Sequence, residues 1–193
     1  MHDPIAQFSQ WLTEAKACAT ITEPTAMTLA TATRTGMTSA RIVLLKDHSA
    51  NGFTFYTNLE SRKSAELIEN PQAALCFYWM PLTRQVRIEG SITRVDDRVA
   101  DAYFASRGRE KQIGAWASEQ SRPMAGRAEL EARIARFEKQ FEGGPVPRPP
   151  HWSGWCVVPR HIEFWSQGDF RLHERNVFTR HDGGRWQHGM IYP

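Results

Sequence analysis

The stretch MTLATATRTGMTSARIVLLKDHSANGFTFYT, residues 27–57, sets the fold class. Met27 to Thr33 alternates small and apolar residues, Ser39 to Lys46 is rich in β-branched residues and leucine, and Phe53 to Thr57 is aromatic. Alternation with period two is the mark of a strand with one buried face. Gly36 and the pair Asn51-Gly52 stand between the three segments, where tight hairpin turns need residues that tolerate positive φ. Consecutive strands joined by such turns pair antiparallel.

Outward from this core the pattern continues. Ala73 to Trp79 and Gln85 to Val95 read as longer strands, with Val86, Ile88 and Ile92 on one face. Trp155 to Trp165, Val177 to Arg180 and Arg185 to Ile191 complete the set, with Gly183-Gly184 as the last hairpin turn. Helices are interspersed. Residues 4–18 carry Ile5, Phe8, Trp11, Leu12 and Ala15 at spacings of three and four, behind Asp3 as N-cap and Pro4 in the first turn. Ser61 to Glu69, Asp96 to Ser106, Gln112 to Ala117 and the segment through Leu130, Ile134, Phe137 and Phe141 also read as helical. Residues 143–151, GGPVPRPPH, are too dense in proline and glycine for helix or central strand and form a loop. The expectation is one mainly β domain over residues 1–193, an antiparallel barrel with peripheral helices. Alternating βαβ units and a glycine-rich phosphate loop are both missing from the pattern, which argues against a dinucleotide or P-loop fold.

A net charge of +3, from 24 Lys and Arg against 21 Asp and Glu, does not suggest general binding to nucleic acid or to a membrane. No apolar run reaches spanning length, and the first residues lack the pattern of a signal peptide. Cys18, Cys76 and Cys156 are odd in number and far apart, so reduced thiols and a cytoplasmic location are expected. The seven histidines show no ligand spacing, and no metal site is expected.

Basic residues cluster in three places. Arg41 and Lys46 bracket the apolar run Ile42-Val43-Leu44-Leu45, which suits a flat ring with an anionic tail, although a core strand with solvated ends reads the same way. Ser61, Arg62 and Lys63 follow Tyr56-Thr57 at a helix start, where hydroxyl, guanidinium and ammonium donors can surround a phosphate. Tyr103, Arg107 and Lys111 are spaced by four and, on one continuous helix, would face a second anion together. Gln120-Ser121 and the set Trp165, Arg171-Leu172-His173 and Arg175 lie further on.

These segments together resemble the pyridoxamine 5′-phosphate oxidase family. The matching strings are RIVLLK (41–46), FYTNLESRK (55–63), RQVRIEG (84–90), QIGAWASEQS (112–121), PPHWSGW (149–155), IEFW (162–165) and RLHER (171–175), in the family's order. The resemblance implies an FMN-binding split β-barrel that works as a homodimer, with FMN at the interface and the strands of about 152–193 completing the site. It implies oxidation of pyridoxamine and pyridoxine 5′-phosphates to pyridoxal 5′-phosphate, with O2 reduced to H2O2. FMN contacts would fall on Arg41, Ile42, Val43, Leu44 and Lys46, on Tyr56, Thr57, Ser61, Arg62 and Lys63, and on Gln85, Gln120, Ser121, Trp165 and Arg175. Substrate contacts would fall on Lys46, Tyr103, Arg107, Lys111, Arg171, Leu172 and His173, with Arg171 and His173 nearest the chemistry. Lys111 departs from the family pattern, which usually carries a serine there. Two other functions fit the same strings: a split-barrel flavin enzyme with another substrate, and a non-catalytic flavin or pyridoxal-phosphate carrier.

Overall fold

The computed structural model describes residues 3–193. Asp3 accepts a hydrogen bond from the Ile5 amide at 2.9 Å and caps helix α1 (Pro4–Ala17), with Pro4 in the first turn, where its missing N–H costs nothing. Strands β1 (Ala26–Ala32), β2 (Thr38–Leu44), β3 (Asp47–Ser49) and β4 (Gly52–Asn58) follow. The expected strand ends two residues early, at Leu44, and the short β3 was not legible in the sequence. Next come α2 (Arg62–Glu69), β5 (Gln72–Trp79), β6 (Arg84–Arg94), α3 (Asp97–Ala105), α4 (Arg109–Ala117) and α5 (Arg127–Gln140). Strands β7 (Trp152–Ser166), β8 (Glu174–Arg180) and β9 (Trp186–Met190) end the chain. Among the described residues no helix is long and apolar enough to cross a membrane.

All pairings are antiparallel, and the strands run in the order β2-β1-β5-β6-β7-β4-β3, with β8 on β7 and β9 on β8. The fifteen-residue β7 organises the sheet. It pairs with β6 along most of its length, with β4 through Trp152–Val157 and with β8 through His161–Ser166. The β7 strand therefore carries two different neighbours on one edge, which splits the barrel. Curling brings the two ends of the strand order together. The Leu45 amide donates to the Thr25 carbonyl at 2.9 Å and the Lys46 amide to Thr54 at 2.8 Å, so the segment leaving β2 is stitched to β4.

The barrel is filled by Leu29, Phe55, Leu75, Val86, Ile88, Val157, Ile162 and Phe164. Helix α1 plugs it with Phe8, which is fully buried and meets Phe53 and Phe77 edge-on at 4.9 and 5.1 Å between ring centres. A second apolar cluster, Phe104, Ile113, Ala117, Phe137 and Trp152, joins α3, α4 and α5 to the start of β7.

The barrel's bend depends on Gly90. The β6–β7 register shifts between Glu89 and Gly90, and a Cβ on Gly90 would lie 2.0 Å from the Val158 carbonyl oxygen. Gly90→Ala is expected to destabilise the fold by about 3 kcal/mol, the upper range for forced overpacking. A urea unfolding midpoint unchanged from wild type would contradict this reading.

Candidate active site

A cleft of about 820 Å³ lies across the seam where the barrel's ends meet, a size ordinary for a cofactor or small-ligand site. One wall is β2 with the residues after it: Arg41, Ile42, Val43, Leu44 and Lys46. The opposite wall is the end of β4 and the start of α2, with Tyr56, Thr57, Arg62 and Lys63. The loop after α4 closes it with Gln120 and Ser121. That loop is pinned by the Asn58 side-chain amide donating to the Ser118 carbonyl at 3.3 Å and by an Arg122–Glu60 ion pair at 2.7 Å. Ser121 sits at φ 74°, a left-handed conformation that a non-glycine residue holds only where its surroundings impose it.

Lys63 is buried, at 8 % exposure. Its Nζ donates to Thr57 Oγ1 at 3.0 Å, Ser61 Oγ at 3.0 Å and Gln120 Oε1 at 2.9 Å. All three acceptors are neutral, and among the described residues no carboxylate lies within ion-pair distance. Burial, assisted by the nearby Arg41 charge, brings its pKa down to about 8. A buried ammonium without a counter-charge, on the wall of an open cleft, is a site prepared for an anion. Ser61 precedes α2 as expected, but its hydroxyl does not cap the helix. It donates back to the Asn58 carbonyl at 2.7 Å, which leaves its lone pairs for Lys63. Ser61 is fully buried and so supports the cleft wall without lining it.

A side cavity adjoins the cleft, lined by Lys46, Tyr56, Tyr103, Arg107, Lys111 and Trp152. Tyr103, Arg107 and Lys111 do meet here, but not along one helix. Tyr103 is on α3, Arg107 lies in the turn before Gly108, and Lys111 is in the first turn of α4. A break at Ser106–Gly108 turns the chain, so a change of direction rather than helical periodicity brings them together. Tyr56, Tyr103 and Trp152 form a cluster of near-parallel rings, with centres 4.1 Å (Tyr56–Tyr103), 5.1 Å (Tyr56–Trp152) and 6.1 Å (Tyr103–Trp152) apart and planes within 19° of parallel. Burial raises the pKa of both tyrosines, keeping them neutral donors. The Arg107 guanidinium lies 4.7 Å over the Trp152 ring, and its Nη1 is buried with no hydrogen-bond partner. An unpartnered buried N–H is costly, so this atom too is set for an acceptor from outside the chain.

The remaining expected residues lie elsewhere. Gln85 pairs with Trp165 where β6 meets β7, in the middle of the strand order and away from the seam. Arg175 is on β8, held by Glu163 through Nε–Oε1 at 2.8 Å and Nη2–Oε2 at 3.0 Å. Arg171, Leu172 and His173 form the turn between β7 and β8, with Arg171 at φ 64°. His173 Nδ1 accepts from the Gly168 amide at 3.3 Å, which leaves Nε2 as the protonated nitrogen, and its ring centre is 4.7 Å from that of Trp165. None of these six residues lines the cleft or its side cavity within one chain.

Other residues at the site were not picked out from the sequence: Ser39, Gly114, Ala115, Ser118 and Trp152 on the walls, and the buried Glu66 behind them. Glu66 had a visible signal, the four-residue spacing from Arg62 on a helix. The small residues of α4 carried none, since they merely leave room.

Comparison with known proteins matches residues 13–141 to the family described as pyridoxamine 5′-phosphate oxidase, and residues 152–193 to a pyridoxine 5′-phosphate oxidase C-terminal dimerisation region. A pyridoxine/pyridoxamine 5′-phosphate oxidase of Myxococcus xanthus is 56% identical over 191 residues, covering 99% of this chain and 92% of that one. One of Zymomonas mobilis is 54% identical, covering 99% and 98%. Among solved structures, PhzG from Burkholderia lata 383, in complex with tetrahydrophenazine-1-carboxylic acid, superposes with a TM-score of 0.92 at 31% identity, covering 99% and 93%. An FMN-binding protein from Nostoc punctiforme shares the fold, with a TM-score of 0.77 at 17% identity and 100% and 98% coverage. Matches to both parts of the chain, and relatives more than half identical along nearly all of it, place the chain in the pyridoxamine 5′-phosphate oxidase family.

Proposed function

We propose that the protein oxidises pyridoxamine 5′-phosphate and pyridoxine 5′-phosphate to pyridoxal 5′-phosphate, with FMN as cofactor and O2 as final acceptor. Pyridoxine phosphate and O2 give the aldehyde and H2O2; pyridoxamine phosphate also consumes water and releases ammonia. The observation that carries this reading is the pair of adjoining cation sites that lack counter-charges. One is at Lys63 and the other at Arg107, and the cluster of near-parallel rings Tyr56, Tyr103 and Trp152 stands beside the second. Two phosphate groups and two flat rings satisfy that layout.

In this reading Lys63, Arg41 and Arg62 hold the flavin phosphate, with Thr57, Gln120 and Ser121 around it. Ile42, Val43 and Leu44 offer backbone and an apolar wall to the ring. Arg107, Lys111 and Lys46 hold the substrate phosphate, and the ammonium of Lys111 supplies three donors where a serine hydroxyl supplies one. The bound FMN supplies the two-electron acceptor that no side chain can provide. Anchoring both molecules by phosphates remote from the reacting carbon places the binding energy in orientation. Arg171 and His173 orient the substituent at the reacting carbon, and the Nε2–H of His173 is available to donate to it. Since they lie off the cleft of their own chain, a second copy supplies them, with Leu172, Gln85, Trp165 and Arg175, across a homodimer interface. Residues 1–193 act as one FMN-binding unit whose C-terminal strands complete the partner's site. Three free thiols fit a reducing cytoplasm.

The test is direct. Protein loaded with FMN and supplied with either substrate is expected to consume O2 and release an equal amount of H2O2. FMN-loaded protein that yields no peroxide from either one would exclude the oxidase reading.

A further inference from the structure

Two guanidiniums on opposite walls of the cleft share one buried carboxylate. Glu66, 4 % exposed, lies behind Arg41 and Arg62 and does not itself line the cleft. Its Oε1 accepts from Arg62 Nε at 2.8 Å. Its Oε2 accepts from the hydroxyls of Thr31 and Ser39, and Arg41 Nη2 approaches it at 3.4 Å. Each of those hydroxyls also accepts from Arg41, Thr31 from Nη1 and Ser39 from Nη2. Arg41 is thus oriented along both arms of its fork through two hydroxyl relays that end on the same oxygen. Burial pushes the Glu66 carboxyl up, but hydrogen bonds from Ser39, Thr31 and Arg62 outweigh it and bring the pKa down to about 2, so the group is ionised throughout the working range.

For pure attraction, a negative charge behind a phosphate site is a handicap, because it offsets one of the three cations there. Its presence makes sense if direction matters more than net charge. Free arginine side chains lose rotamer entropy when a ligand fixes them, and a carboxylate that has already fixed them removes that cost from binding. We propose that Glu66 is a positioning residue for the flavin phosphate, acting through Arg41 and Arg62 without touching the ligand. The proposal rests on the phosphate site described above.

The experiment compares FMN with riboflavin, which lacks the phosphate, by fluorescence titration of apo-protein. Wild type is expected to prefer FMN strongly. Glu66→Gln keeps the shape but turns an N–H donor toward Arg62 or Arg41. It should weaken FMN binding about tenfold, the effect of losing one charge-assisted hydrogen bond, and leave riboflavin binding within about twofold. Thr31→Val removes one relay hydroxyl at constant shape and serves if the first variant fails to fold. It should cost FMN alone about threefold. In an Arg41→Ala background the Thr31→Val effect should vanish, which a general loss of structure would not do. Tighter FMN binding in Glu66→Gln, or equal losses for both ligands, would overturn the proposal. Wild-type protein with no preference for FMN would instead remove the phosphate site itself, and the proposal with it.

Discussion

Replacing Lys63 by methionine is expected to weaken FMN binding by about a hundred- to a thousandfold, the range for removing one partner of a buried charge pair. The ammonium has already lost its water, and its three acceptors are neutral, so a bound phosphate supplies the missing negative charge. The same feature makes affinity depend on pH, with a definite sign. In the free protein the Lys63 pKa is lowered to about 8, and a phosphate beside it must raise that value. Above pH 8, binding therefore takes up a proton. Affinity should be flat up to that point and then fall by at most about tenfold per pH unit. Lys63→Met should show no such slope. The free protein itself should gain stability between pH 8 and the ordinary lysine range near 10.5, where the unfolded chain still holds a proton that the folded one has released. Titrations of apo-protein with FMN at pH 7 and 9 check the binding claim. Equal affinities at both, or a Lys63→Met protein that binds like wild type, would refute it.

Mixing two inactive variants is expected to restore activity. Lys63→Met damages the cleft, while His173→Ala damages the turn between β7 and β8 that lies outside the same chain's cleft. If each site combines the cleft of one chain with the turn of the other, a mixed dimer holds one site with both defects and one with neither. Random re-association of equal amounts makes about half the dimers mixed, so about a quarter of wild-type activity should return. A site built within a single chain predicts no recovery at all. The His173→Ala homodimer should still bind FMN, since that residue is assigned to the substrate; loss of the flavin would show the assignment to be misplaced. Refolding or co-expression, followed by peroxide assay, gives the measurement.

How far the sequence could be read follows from the range of the forces involved. The hairpin at Gly36, the Asp3-Pro4 helix start and the alternation along β6 all depend on neighbours within a few residues, and all were legible. The Asn51-Gly52 turn is also present, but it joins β4 to the short β3 and not to β2 as expected, since β2 pairs only with β1. The three-residue β3 was not, because so short a strand owes its existence to β4 beside it. Tyr103, Arg107 and Lys111 converge, but through the turn between α3 and α4, which helical spacing could not show. Ser61 occupies the cap position, and only the buried Lys63 explains why its hydroxyl turns away from the helix.

The sequence by itself determined the alternation that makes strands, the turns that pair them, and the supply of cations and aromatic rings from which a phosphate-binding cleft can be made. These are properties of residue type and near spacing. Tertiary structure alone decided which cations share a ligand. Arg41 is on β2, at one end of the strand order, and Lys63 is on α2, which follows β4 near the other end; they face one cleft because the sheet curls back on itself and α2 packs against β1. Arg175 and His173 are left outside that cleft and its side cavity. Closure of the barrel thus divides the basic residues into a set that one chain gathers and a set that it presents outward.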